Sequence, residues 1–138
     1  MGPVASRGRA RMGQAGAVDD LESLVPAWLT LPEVAERLGI EVGKVRNLLR
    51  ERLLVGVRRG ERNVLSVPAD LIMDGPEGPA PLPELRGTLV VLADSGYDDV
   101  AAVRWLFTPD ETIPGTPVDA LRAGAKTEVR RRAQALAF

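Results

Sequence analysis

Between Trp28 and Val67 the chain places two short apolar stripes at helical spacing on either side of one glycine, then an alternating ribbon, an order that few folds accept. Thr30 with Glu33 three positions later has the spacing of a capping box, in which each side chain satisfies an orphan backbone N–H at a helix start. Leu31, Val34, Ala35 and Leu38 then form one apolar stripe, and Gly39 stands where a helix stop favours a left-handed residue. After Ile40 a second stripe runs through Val42, Val45, Leu48, Leu49 and Leu53, predicting a helix over 42–53. Its opposite face carries Gly43, Lys44, Asn47, Arg50 and Glu51, with Arg46 at the border. The ribbon follows as Val55–Arg59, a turn at Gly60-Glu61-Arg62, and Asn63–Val67, which predicts a hairpin with a three- or four-residue loop.

The polar face of the second helix carries chemistry suited to duplex DNA. A helix about 10–12 Å across enters a major groove roughly 12 Å wide, where Arg and Lys match guanine acceptors and Asn matches adenine. Lys44, Asn47 and Arg50 fit that pattern, with Arg46 beside them. Gly43 has no side chain near the helix start, so backbone there can approach a phosphate, aided by the positive end of the helix dipole. Arg58, Arg59 and Arg62 crowd the hairpin tip, where they would lie along the sugar-phosphate backbone or enter the minor groove. The same residue types also occur on merely solvated helix faces and on charged edges that resist aggregation. The order of cap, glycine turn, second stripe and ribbon favours a winged helix-turn-helix.

Composition narrows the alternatives. The chain has no cysteine and no histidine, which removes disulfides, thiolate and imidazole metal sites, and Ser-His-Asp or Cys-His catalysis. Asp98, Asp99, Asp110 and Glu111 form the carboxylate clusters, and they read better as caps and loop residues than as acid–base pairs. No enzyme activity, cofactor or metal is therefore expected. The net charge of −1 hides an asymmetry: between Arg37 and Arg62 eight Arg/Lys face three Glu, whereas residues 75–138 carry seven basic and nine acidic side chains. A polyanion would thus meet the first half. No run of about 18 apolar residues is present, and the N-terminal tail lacks the apolar segment of a secretory signal, so a cytoplasmic protein without membrane partners is expected.

Four segments follow. Residues 1–20, rich in Gly, Ala and Arg, read as a disordered basic tail. Ser6, beside Arg7, is its only hydroxyl open to a kinase, and a phosphate there would offset the charge of Arg7, Arg9 and Arg11. Residues 21–74 form the winged helix-turn-helix, with Leu21–Ala27 as a loop or short helix, Trp28 in the core beneath the first helix, and a helical turn at Pro68–Ile72. Residues 75–83, dense in Pro and Gly, read as a linker or extended crossover. Residues 84–138 read as a helical bundle. One helix carries Leu85, Leu89, Val90, Leu92 and Ala93 and closes at Gly96, and a second is capped by Asp98 or Asp99 and ends at Thr108-Pro109-Asp110. A turn with Pro117 at its first position follows, and the last helix, about 126–137, presents Val129, Ala133, Leu136 and Ala137 inward. The fold expected is mainly α with a small β-wing, a winged helix-turn-helix followed by a C-terminal helical bundle.

Several of these segments resemble known families. Leu29–Gly39 and Val45–Glu51 resemble the MerR-type winged helix-turn-helix of excisionase-like and small actinobacterial regulators. From Trp28 onward the chain is similar to an actinobacterial and mycobacterial family of small winged-helix DNA-binding proteins. Its C-terminal signature is matched by Gly96-Tyr97, Arg104–Asp110, Pro117–Leu121 and Val129–Ala135. That resemblance implies DNA binding through Lys44, Arg46, Asn47, Arg50, Arg58, Arg59 and Arg62. The second half is more distantly similar to the toxin-binding domain of Xre-type antitoxins, through Trp105-Leu106 and Gly115–Leu121. Those antitoxins carry an Xre-like rather than a winged DNA-binding half, and the long dimerisation coiled coil of MerR regulators has no counterpart here. The expected function is a transcriptional regulator that binds double-stranded DNA, with residues 84–138 open to a protein partner or self-association. The alternative is an antitoxin-like interaction module whose C-terminal half binds another protein.

Overall fold

The capping box forms as spaced. In the computed structural model, which describes residues 21–136, the Thr30 N–H donates to Glu33 Oε1 at 2.8 Å and the Glu33 N–H donates to Thr30 Oγ1 at 3.4 Å. They open α1 (Leu31–Leu38), which Gly39 ends in the left-handed conformation at φ 70°, with the Ile40 N–H closing on Ala35 O at 3.0 Å. The second helix, α2, spans Val42–Arg50 and stops three residues short of the expected Leu53. Leu53 belongs to the apolar stripe, but its N–H folds back to Leu48 O at 2.9 Å while Arg52 takes φ 66°. The stripe thus ends in a closing turn. Val45 is fully buried, and burying such a side chain stabilises the fold by about 1.5–3 kcal/mol.

The wing is β2 (Val57–Arg59) and β3 (Val64–Pro68), antiparallel in the register Val57↔Ser66 and Arg59↔Val64, which leaves a loop of Gly60, Glu61, Arg62 and Asn63. A third strand, β1 (Trp28–Thr30), pairs with the other edge of β3 through Trp28↔Pro68 and Thr30↔Ser66, giving the order β1-β3-β2. Trp28, expected in the core, is a half-buried strand residue that packs against the core cluster rather than lying fully within it. Residues 21–24 form a helical turn, from which Leu21 and the following Val25 enter the core.

The segment expected as a linker at 75–83 is largely a second hairpin. After a 3-10 turn at Ala69–Leu71, β4 (Ile72–Gly75) pairs with β5 (Gly78–Pro81) in the register Ile72↔Pro81 and Gly75↔Gly78. Proline is excluded from central strands because it cannot donate to the ladder, but in a two-stranded ribbon every strand is an edge, so Pro79 and Pro81 are tolerated. The Leu82 N–H donates to Leu71 O at 2.9 Å, which ties the exit of the hairpin to its entrance.

Four helices follow: α3 (Leu85–Asp94), α4 (Asp99–Phe107), α5 (Pro117–Arg122) and α6 (Lys126–Ala135). Asp98 Oδ1 accepts from the Ala101 N–H at 2.8 Å to start α4, and Thr116 with Asp119 forms a second capping box at α5. Val90 and Leu136, expected inside, are exposed, while Leu85, Leu89, Leu92, Val129 and Ala133 are buried. Ala137 lies outside the described residues, as do the basic tail of 1–20 and Ser6. One hydrophobic cluster runs from Leu21 through Val45 and Val67 to Leu89 and Ala133, so the two halves share a core. Arg122 also crosses the junction, donating to Asp70 O at 2.8 Å and Ile72 O at 3.0 Å. Among the described residues no helix is long and apolar enough to cross a membrane.

Candidate nucleic-acid interface

Helix α2 packs mainly on α1, with Val45 buried, and turns its polar side outward. Leu49 packs toward Leu65 across Gly56, where an added Cβ would press on Ser66 O at 3.1 Å and Leu65 Cδ1 at 3.2 Å of β3 and meet Leu49 Cδ2 at 3.6 Å. That packing leaves Gly43, Lys44, Arg46, Asn47 and Arg50 exposed together. None of Lys44, Arg46 and Arg50 forms an ion pair among the described residues. Asn47 Oδ1 accepts a hydrogen bond from the Arg50 guanidinium, which holds these two side chains as a connected pair along the face.

The start of α2 is open. Its N-cap residue, Glu41, makes no side-chain capping bond. A Cβ built at Gly43 would meet nothing within 4 Å, so the fold itself does not require glycine there. The helix thus presents uncapped backbone donors and the positive end of its dipole beside a position without a side chain, an arrangement that accepts an anion.

The three arginines expected at the hairpin tip separate. Arg58 is exposed, and its guanidinium reaches across the turn to donate to Asn63 O at 3.1 Å. Arg62 is exposed in the loop. Arg59 takes the other side of the strand. Its Nε and Nη2 donate to the two carboxylate oxygens of Glu22 at 2.8 and 2.7 Å, and its guanidinium stacks over the Trp28 ring at 4.9 Å from the centroid. The hydrogen bond from Arg59, with its positive charge, holds the Glu22 carboxyl below its ordinary value against a smaller opposing effect of burial, and raises Arg59 in turn. Arg59, expected with Arg58 and Arg62 to face DNA, is held as a clamp between Glu22 and the wing. Strand alternation carries the signal for this, since neighbouring residues point to opposite faces.

Two features of the site have no local sequence signal. Glu22 lies 37 positions from Arg59. At the far end of α2, Arg52 pairs with Asp99 of α4 at 3.0 Å, and Arg86 of α3 donates through Nε to Glu51 O at 3.0 Å. The second half thus holds the end of α2.

Comparison with known proteins gives a consistent result along the chain. Residues 17–72 match the family described as DNA-binding protein Rv2175c, wHTH domain, and residues 82–137 match the Rv2175c C-terminal domain of unknown function. The DNA-binding protein Rv2175c of Mycobacterium tuberculosis (strain ATCC 25618 / H37Rv) is 40% identical over 141 residues, covering 94% of this chain and 93% of that protein. The NMR structure of Rv2175c superposes with a TM-score of 0.70 at 36% identity, covering 95% of this chain and 99% of that one. With both halves matched in order and the relative spanned nearly end to end, the chain belongs to the Rv2175c family of winged helix-turn-helix proteins.

Proposed function

We propose that this protein is a DNA-binding transcriptional regulator that lays α2 in the major groove and its wing along the adjoining backbone. The observation that carries this reading is the outer face of α2, where Lys44, Arg46, Asn47 and Arg50 stand exposed, with no carboxylate partner among the described residues, beside a hairpin bearing Arg58 and Arg62. The relative's name, DNA-binding protein, supports it. In this docking, of the MerR type, Lys44 and Arg50 address guanine edges and Asn47 an adenine, while Gly43, Arg46, Arg58 and Arg62 address phosphates. The protein acts without catalysis, cofactor or metal, in the cytoplasm.

The test is DNA affinity measured against salt. Log affinity falls with log salt by about 0.9 for each phosphate neutralised. Arg50→Ala narrows the gap between the preferred site and random duplex, while Arg58→Ala weakens both alike. A protein whose weak duplex binding ignores salt and both substitutions contradicts the reading.

A second reading rests on a different surface. Half-buried Trp105 lines a cleft of about 380 Å³ with Thr108, Pro109, Asp110, Glu111 and Pro117, within the stretch that resembles the antitoxin domain. A protein partner of that kind would seat there, and cross-linking from Glu111→Cys in native extract would capture it. Capture of the same partner by a protein also substituted Trp105→Ala would count against this placement.

A further inference from the structure

The C-terminal half is joined to the end of the reading helix at two polar points, the Arg52–Asp99 pair and a bond from Arg86. Arg86, in the first turn of α3, is exposed and donates its Nε to the carbonyl of Glu51, the residue that ends α2. A helix C-terminus gathers unpaired carbonyls and a partial negative charge, and a guanidinium there offsets both. That bond uses one of the five N–H donors of the side chain. The four on Nη1 and Nη2 have no protein partner among the described residues, and Arg86 forms no ion pair there.

A group bonded to the last carbonyl of a helix sits close to the extension of the helix axis. The Arg86 guanidinium therefore stands at the C-terminal end of α2, the helix that carries Lys44, Asn47 and Arg50. A fork held by its Nε, with both terminal nitrogens free, matches two oxygens of a phosphodiester. Without Arg86, the Glu51 carbonyl at the negative end of α2 would lose this donor.

We infer that Arg86 is a phosphodiester contact supplied by the C-terminal half, steadied by its bond to Glu51 O, so that this half completes the polyanion surface of the winged half. This rests on the reading that the outer face of α2 meets DNA. The contact carries no sequence preference, because it addresses backbone rather than base edges.

The test compares the full chain with Arg86→Ala, Arg86→Lys and Asp99→Asn on a preferred and a random duplex across a salt series. Arg86→Ala is expected to weaken both duplexes by about five-fold and to reduce the salt slope by about 0.9, the loss of one phosphate. Arg86→Lys keeps the charge but cannot cap and fork at once, and is expected to recover most of the slope with only part of the affinity. Asp99→Asn loosens the other tie between the end of α2 and the C-terminal half without removing a cation, and is expected not to reduce the slope.

An unchanged slope in Arg86→Ala, with Arg50→Ala still affecting binding, overturns the inference and leaves Arg86 as a helix cap alone. The same reduction in slope in Asp99→Asn also overturns it, by assigning the effect to the junction. If neither Arg50→Ala nor Arg86→Ala alters binding, the docking of α2 itself has failed and the inference falls with it.

Discussion

Helices α2 and α6 are nearly the same length, at 9 and 10 residues, and both are basic, yet their electrostatics differ. On α6 the cations are largely spent within the protein. Arg130 and Lys126 reach Glu84 at 2.6 and 3.8 Å, and Arg131 reaches Glu128 at 2.9 Å. The Arg130 guanidinium lies so close to Gly87 that a Cβ there would displace it. On α2, Lys44, Arg46 and Arg50 have no carboxylate partner among the described residues, and the one bond between side chains joins Arg50 to neutral Asn47. Basic composition alone does not define a polyanion surface. The field outside the protein depends on which cations are already neutralised.

Pairwise substitution tests that difference most severely. Lys44→Ala with Arg50→Ala is expected to lower affinity for the preferred duplex by about 100-fold, from roughly 1–3 kcal/mol per base contact. Lys126→Ala with Arg131→Ala is expected to change it by less than about two-fold, since exposed, already paired charges contribute little. Equal losses in the two doubles, measured by fluorescence anisotropy, would erase the distinction.

The wing repeats the contrast within two adjacent residues. Arg58→Ala is expected to weaken all duplexes by about five-fold without changing thermal stability. Arg59→Ala is expected to leave duplex affinity nearly unchanged and to lower stability by about 1 kcal/mol, the sum of a screened ion pair and a stacked cation. Calorimetry with binding data on both variants checks the split, and an exchange of the two phenotypes would refute it.

Gly43 sharpens the same point at the helix start. Alanine there meets no atom of the protein and improves helix propensity, so Gly43→Ala is expected to stabilise the fold by about 0.5 kcal/mol while weakening DNA binding about three-fold. Gains in both properties would show that no phosphate approaches this backbone.

The smallest effect concerns pH. Because the folded-state pKa of Glu22 is depressed by Arg59, the stabilisation from this pair is fully present above the ordinary glutamate value and is lost as pH falls through the depressed one. Thermal melts of Glu22→Gln and the parent chain are therefore expected to differ at neutral pH and to converge in acid. A gap that persists in acid would assign the difference to packing.

What the sequence made legible was local chemistry. The Thr30–Glu33 box, the stop at Gly39, the Asp98 cap and the proline-led turn at Pro117 each need residues only a few positions apart, and each formed. The exposed row on α2 was legible for the same reason, because helical periodicity separates Val45 from Lys44 and Asn47. The rest depended on contacts between distant residues. The partner of Arg59, Glu22, lies 37 positions away, and the bond from Arg86 to Glu51 O spans 35. Strand β1 escaped notice because three residues are too few to show alternation. The hairpin of β4 and β5 looks like a linker in sequence because its prolines argue against a central strand, and a two-stranded ribbon has none.

The most direct measurement is an amide NMR titration of the full chain with a short duplex at moderate salt. The account predicts shifts concentrated at residues 42–51, at Arg58 and Arg62 of the wing, and at Arg86, with Trp105–Leu121 and the α6 amides unmoved. Shifts confined to Trp105–Leu121 or to α6, with the α2 amides silent, would contradict it.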